Sequence, residues 1–262
     1  VDVSLRLGGF YDYYLDTTGG FWGVRAAAGE AVHLQLNQSS RALAVISRKF
    51  APVEHAQATA TYRDLRTGAL AGQPIRCTPV TIAANAVTDL GCEATWPVGH
   101  EGVLLLRLLL TVDGVAFSSN EYWLAPTGAI PEETAWAQFR TWKAASQPVQ
   151  LSVTAHVVVF GAASGTSASS ANLTLHAPAG GPAALGIRLQ LGHGGSGNGE
   201  ADTRVLPAWF SANYFSLLPG EQRSVLVECD SGTDLGSLEL RVTGYNIAAL
   251  SVPVRMHADE KG

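Results

Sequence analysis
The run Leu104-Leu105-Leu106-Arg107-Leu108-Leu109-Leu110-Thr111-Val112-Asp113-Gly114-Val115 decides the fold. Leu104, Leu106, Leu108, Leu110 and Val112 fall on one face at a period of two, with Arg107 and Thr111 on the other. That is a strand with one buried side. Asp113-Gly114 reads as a two-residue hairpin turn, which sends the chain back through Val115–Trp123. Upstream, the same period predicts strands over Val32–Asn37, Leu43–Phe50, Ala56–Asp64 and Ile75–Ile82. Short strands at this spacing predict an immunoglobulin-like sandwich over residues 30–125.

Downstream, the pattern stops and then resumes. Pro126, Gly128 and Pro131 open a connector over 126–147. A short helix is expected from Glu132 to Ala145, with Pro131 in its first turn and Glu132 and Glu133 at the positive end of its dipole. Trp136, Phe139 and Trp142 read as packing anchors between domains. From 148 to 258 alternation returns. Leu151, Val153, Ala155 and Val157 share a face, Leu185, Ile187, Leu189 and Leu191 oppose Arg188 and Gln190, and Leu238, Leu240 and Val242 oppose Glu239 and Arg241. This predicts a second antiparallel sandwich. The Gly- and Ser-rich stretches 161–170 and 192–199 read as surface loops.

Residues 1–29 differ from the rest. Phe10, Tyr11, Tyr14 and Leu15 recur at helical spacing, Gly19-Gly20 breaks the pattern, and Arg25 with three alanines favours helix again. The fold expected is thus mostly β: two immunoglobulin-like sandwiches preceded by a short helical stub. A chain of 262 residues with 47% hydrophobic and 15% charged residues folds into about two domains. Its net charge of -5 argues against a nucleic-acid surface. No apolar run reaches the roughly 18 residues needed to span a bilayer. The chain starts at Val1 without an initiator Met or a signal peptide, which reads as a processed or truncated polypeptide.

Asn37-Gln38-Ser39 and Asn172-Leu173-Thr174 fit the N-glycosylation acceptor pattern, and strand alternation points both Asn side chains to solvent. They argue for a secretory-pathway origin, extracellular or vacuolar. The three cysteines fit either compartment. Cys77 and Cys92 flank an expected turn near Ala84-Asn85, where a hairpin would place them opposite each other for a disulfide worth about 3 kcal/mol. Cys229 reads as a buried free thiol.

Catalytic chemistry is hard to find. His33, His55, His100, His156, His176, His193 and His257 are scattered, none pairs at helical spacing, and none neighbours two Cys, so no metal site is expected. His33, His156 and His176 fall on outer strand faces and read as solvated. Asp12 and Asp16 would share a helical face, with capping and solvation as their role. Hydrolysis of a glycoside needs two carboxyl groups flanking one bond, and no such pair is visible. No catalytic residue, cofactor or metal ligand is assigned.

Four segments carry a resemblance. The first is Leu5-Arg6-Leu7-Gly8-Gly9-Phe10-Tyr11-Asp12-Tyr13-Tyr14-Leu15-Asp16, running on through Thr18-Gly19-Gly20-Phe21-Trp22-Gly23-Val24-Arg25-Ala26. The second is His33-Leu34-Gln35-Leu36-Asn37. The third is Ser118-Ser119-Asn120-Glu121-Tyr122-Trp123-Leu124. The fourth is Arg204-Val205-Leu206-Pro207-Ala208-Trp209-Phe210-Ser211-Ala212-Asn213-Tyr214-Phe215-Ser216-Leu217-Leu218-Pro219-Gly220-Glu221, completed by Gly244-Tyr245-Asn246. In this order they resemble the C-terminal region of family-two glycoside hydrolases, the exo-β-glucosaminidases and plant endo-β-mannosidases. Gly9 departs from the pattern, where a Gln is usual, and so does Ala28, where a bulkier residue is common.

The resemblance implies that residues 1–29 are the helical end of a catalytic (β/α) barrel and that two sandwiches follow. It also implies that both catalytic glutamates of the retaining mechanism lie before Val1. The chain is then a non-catalytic subunit or fragment whose partner is the barrel polypeptide, with Phe10, Tyr14, Phe21 and Trp22 packing against that partner. The alternative is a non-enzymatic structural or carbohydrate-binding module of an extracellular assembly, with glycans as ligands.

Overall fold
A computed structural model describes residues 9–12, 14–126, 132–158, 169–194, 204–230 and 233–255. Gly8 and the residues before it, Tyr13, Pro131, Met256, His257 and most of the two Gly- and Ser-rich stretches lie outside this set, as does the Trp136 side chain. The elements run α1 (Gly19–Gly29), β1 (Val32–Leu36), β2 (Ala42–Ser47), β3 (Val53–Asp64), β4 (Ile75–Arg76), β5 (Val80–Ile82), β6 (Val87–Glu93), β7 (Leu104–Val112) and β8 (Val115–Leu124). After α2 (Glu132–Ala145) come β9 (Ser152–Val158), β10 (Ser169–His176), β11 (Ala184–His193), β12 (Ala208–Phe210), β13 (Phe215–Leu217), β14 (Gln222–Cys229), β15 (Leu238–Thr243) and β16 (Leu250–Pro253). The fold is mostly β and immunoglobulin-like, and every strand pairing within the sheets is antiparallel. Neither helix is long and apolar enough to cross a membrane.

The chain divides into two units. Val24–Ser146 form one, and the described residues up to Gly23 join those from Gln147 onward in the other.

In the Val24–Ser146 unit, sheet β1-β2-β6 faces sheet β4-β3-β7-β8, with β5 also paired to β3. Leu104, Leu106, Leu108 and Leu110 of β7 are fully buried against Leu34, Leu43 and Val45, each contributing about 1.5–3 kcal/mol. Asp113 (φ 49°) and Gly114 (φ 79°) close the β7–β8 hairpin, as a turn needing positive φ at both central residues requires. Leu105 points to the other side of the sheet and is still buried. It is in register with Trp123, on which Phe139 of α2 stacks at 5.3 Å. The connector helix therefore has a seat on this unit.

The expected hairpin near Ala84-Asn85 does not form. β5 pairs with β3, while β6, which sequence periodicity missed, pairs with β2. Asn85 takes φ 45° and its N–H donates to the Lys49 carbonyl at 2.8 Å, so the chain crosses between the sheets there. Cys77 and Cys92 are bonded to each other. Since Cys77 is tied to β3 through the Ala58 carbonyl and Cys92 lies in β6, the bridge staples one sheet to the other.

In the second unit, sheet β12-β14-β10-β9 faces sheet β13-β11-β15-β16. Leu173, Leu175, Val225 and Val227 of one sheet pack on Ile187, Leu189, Leu240 and Val242 of the other. Cys229 is a free thiol buried in this core. Burial, with the nearby Asp230 carboxylate, pushes its pKa up to about 11, so it stays a thiol at neutral pH.

The disulfide closes a loop of sequence separation 15. Replacing both Cys77 and Cys92 by Ala is expected to remove about 3 kcal/mol of unfolding free energy. Urea denaturation of the two proteins checks this; an unchanged midpoint would show that the staple constrains nothing.

Candidate functional site
The outward face of β11 carries Arg188 and Gln190, the polar positions between its buried leucines. Beside it, Arg204 forms a bridge with Gly192, and the Val205 N–H donates to the Leu191 carbonyl at 3.0 Å. Three donors thus converge on one patch of the second sandwich. The partner of that patch is the chain's own N-terminal segment. Arg188 Nη2, Gln190 Nε2 and Arg204 Nη1 donate to Asp16 Oδ2 at 3.0, 2.9 and 3.1 Å, and Arg204 Nη1 also donates to Asp12 Oδ2 at 2.9 Å. The Arg204 guanidinium lies 4.9 Å from the centre of the Tyr14 ring, a cation–π geometry.

This arrangement overturns the helical reading of Phe10–Leu15. Asp12 Oδ1 accepts from the N–H groups of Tyr14 (2.8 Å) and Asp16 (3.0 Å), Leu15 sits at φ 67°, and the Thr18 N–H donates to the Phe10 carbonyl at 3.0 Å. The carboxylate takes N–H groups into a side-chain-capped turn, and charges far along the chain hold it there. Asp12 and Asp16 are anchors and not solvated helix residues. Gly19-Gly20 opens α1 and does not break it. A Cβ at Gly19 would lie 3.3 Å from Cδ1 of Tyr214, so Gly lets the helix start against that ring.

The four aromatics assigned to partner packing separate. Trp22 is buried in the core of the second sandwich, and its Nε1 donates to Thr17 Oγ1 at 2.9 Å. Phe21 is partly buried against the same core. The stub therefore has a seat within this chain. Phe10 and Tyr14 remain 47% and 52% exposed, and Tyr11 and Leu15, absent from the sequence assignment, are 51% and 75% exposed. Tyr11 and Phe10 cluster on the Phe21 ring at 5.6 and 6.5 Å. The result is an outward aromatic surface held from behind by an ion-paired clamp.

Two further polar constellations explain the quoted motifs. In the second sandwich, Asn213 Oδ1 accepts from Leu189 N–H (2.8 Å) and its Nδ2 donates to the Leu189 carbonyl (2.9 Å). Asn246 does the same for Leu185 N–H (2.8 Å) and the Ala183 carbonyl (2.7 Å). Both amides are buried and replace missing strand partners of β11. Gly244 lies so close to Leu185 and Ile247 that a Cβ would meet the Leu185 oxygen at 3.0 Å.

In the first sandwich, Ser118, Asn120 and Tyr122 of β8 bond to β1. Leu34 N–H donates to Ser118 Oγ (3.3 Å), Asn120 Nδ2 to the Leu34 carbonyl (3.3 Å), and Leu36 N–H to Tyr122 Oη (3.1 Å). His33, read as solvated, is only 8% exposed, with Nε2 3.2 Å from Asn120 Nδ2. Alternation cannot see that β8 covers this edge of β1. Ser118, His33 and Glu30 are not a hydrolytic triad: Ser118 Oγ donates to Glu30, not to His33, and is buried, whereas a nucleophile must bond its base and be reachable.

Asn37 is exposed on the β1–β2 turn, its Oδ1 accepting from the N–H groups of Ser39 and Ser40, and Asn172 is exposed on β10. Among the described residues no three His, Cys, Asp or Glu side chains gather in a way that would hold a metal.

Fold and site together define a pair of immunoglobulin-type sandwiches with an anchored N-terminal arm. Residues 133–247 match the family model described as the exo-beta-D-glucosaminidase Ig-fold domain. No curated protein matches the chain in sequence. Among solved structures, the chain is similar to exo-chitosanase CsxA of Amycolatopsis orientalis, with a TM-score of 0.73 and 21% identity over 93% of this chain. A complex of a variant of that enzyme with PNP-beta-D-glucosamine gives 0.72 and 22%, again over 93%. At this identity the likeness establishes the fold. The chain spans 29% of the exo-chitosanase chain in both comparisons.

Burial pushes the Asp12 carboxyl up, but hydrogen bonds from Arg204 and from the Asp16 and Tyr14 N–H groups outweigh it and hold the pKa below the ordinary carboxylate value. A lowered folded pKa gives stability that is complete above the unfolded value of about 3.9 and is lost as pH falls through the folded one. Asp12→Asn should therefore flatten the acid limb of the stability curve below about pH 4. Arg204→Ala should cost about 1–3 kcal/mol, since it takes a shared partner from two part-buried carboxylates. Denaturation from pH 7 to 3 checks both; parallel acid limbs for wild type and Asp12→Asn would rule out the clamp's role.

Proposed function
We propose that this chain is a non-catalytic accessory part of a retaining β-glucosaminidase- or β-mannosidase-like glycoside hydrolase. In this reading it completes and stabilises a catalytic (β/α) barrel on adjoining polypeptide. The observation that carries the reading is the anchored arm with its exposed Phe10, Tyr11, Tyr14 and Leu15. Clustered exposed aromatics mark an interaction surface, and the clamp fixes them before any partner arrives, which lowers the ordering cost of association. The family match over 133–247 and the likeness to a chain more than three times as long support a place within a larger hydrolase. A retaining mechanism needs two free carboxyl groups roughly 5–5.5 Å apart. Asp12 and Asp16, which share Arg204 while Asp16 also pairs with Arg188, are neutralised by the two guanidiniums, so they serve as an anchor and not as acid and nucleophile.

Purified alone, the chain should not hydrolyse nitrophenyl β-glucosaminide or β-mannoside. Mixed with a barrel polypeptide encoded beside it, it should form a stable complex and raise the barrel's melting temperature. Exchanging Phe10 and Tyr14 for Ser should weaken that complex at least about tenfold, the scale of an aromatic hot spot. Turnover by the isolated chain, or a complex indifferent to both exchanges, contradicts the proposal.

We also assign the chain to the secretory pathway, extracellular or vacuolar. Exposed Asn37 and Asn172 in acceptor sequences and the Cys77–Cys92 bridge support this. Protein from its native source should lose mass on treatment with a peptide N-glycosidase; an unchanged mass argues against it.

A further inference from the structure
Arg204 is the less exposed of the two cations in the clamp: its side chain is 10% exposed, against 34% for Arg188. Its Nη1 serves both carboxylates, Asp12 Oδ2 at 2.9 Å and Asp16 Oδ2 at 3.1 Å. Its Nε stands apart. That N–H is buried and has no hydrogen-bond partner among the described residues. A guanidinium keeps all its protons in a protein. Leaving one of its buried donors bare is costlier than leaving a neutral donor bare, so Nε needs an acceptor.

A small cavity adjoins this group. Arg204, Asp16 and Gln190 form its polar side, and Leu191, Val205 and Phe210 are among its apolar walls. About 10 Å³ of it is open to the centre of a water-sized sphere, close to the least that one water needs. Asp16 Oδ2 already takes three donors. Asp16 Oδ1 and Gln190 Oε1 accept none from the described residues, although both residues line the cavity.

Charge and size together select the occupant. A cation would meet Arg204 and Arg188, and an anion would meet Asp16 and Asp12. An apolar group would leave Nε bare. What fits is a neutral molecule of one heavy atom that both accepts and donates.

We propose that this cavity binds one ordered water, which accepts from Arg204 Nε and donates to Asp16 Oδ1 and Gln190 Oε1. Three such bonds are what a buried water ordinarily makes. The water joins the three parts of the clamp, since Asp16 belongs to the arm, Gln190 to β11 and Arg204 to the segment beside it. The arm is thus seated partly through solvent, and its anchor has a fourth member besides Arg188, Gln190 and Arg204. This inference concerns the clamp alone and does not rest on a barrel partner. Its failure leaves the accessory reading intact.

Two measurements on the full chain test it. A high-resolution crystal structure should show one water within about 3.2 Å of Nε and of both oxygens. Magnetic relaxation dispersion of the water ¹⁷O signal counts long-lived internal waters in solution. Ala208→Val, which adds bulk to a wall of the cavity, should hold one fewer than wild type. Gln190→Met keeps the size of the side chain but removes an acceptor, and should speed exchange of that water about three- to tenfold, the scale of one hydrogen bond. Should Ala208→Val fail to fold, the crystal site and Gln190→Met still decide. A site without water, Nε bonded to a protein oxygen instead, an unchanged count in folded Ala208→Val, or unchanged exchange in Gln190→Met each overturns the proposal.

Discussion

One carboxylate oxygen organises the N-terminal arm. Asp16 Oδ2 accepts from Arg188, Gln190 and Arg204 at once. Two cations and an amide around a single, part-buried anion satisfy it, and that is what makes its burial tolerable. The geometry of the arm follows. Arg204 reaches Asp12, Asp12 gathers the N–H groups of Tyr14 and Asp16, and Tyr14 lies over the guanidinium. The exposed aromatics take their places because the charges behind them are fixed.

The same economy appears at the sandwich edges. Immunoglobulin-type sheets leave backbone groups without a strand partner, and an unpaired buried group costs about 1–3 kcal/mol. Asn213 and Asn246 meet this need on β11, and Ser118, Asn120 and Tyr122 meet it on β1. For the asparagines the reason is chemical: a primary amide both donates and accepts, so it imitates a peptide group where no strand reaches.

Local physics explains what the sequence revealed. β7 and its Asp113-Gly114 turn were legible because every determinant lies within a few residues. β6 was not: of Val87–Glu93 only Leu90 is buried, and Gly91 interrupts the alternation with positive φ. His33 looked solvated because periodicity assigns a face but cannot know that the face is covered by β8. The aromatic spacing of the arm fits a helix. The override comes from Arg188 and Arg204, and no window of neighbouring residues contains them. The clamp was invisible for the same reason, although Arg188 and Gln190 were correctly placed on the outer face of their strand.

The sequence distance across the clamp also sets an order of events during translation. Asp12 and Arg204 are 192 residues apart. At about 5–20 residues per second, Arg204 leaves the ribosome on the order of 10–40 s after Asp12. Within that interval the whole Val24–Ser146 unit is synthesised while the arm stays unmoored. The nascent arm thus waits for its own second sandwich. The clamp closes last, once both of its sides have been made.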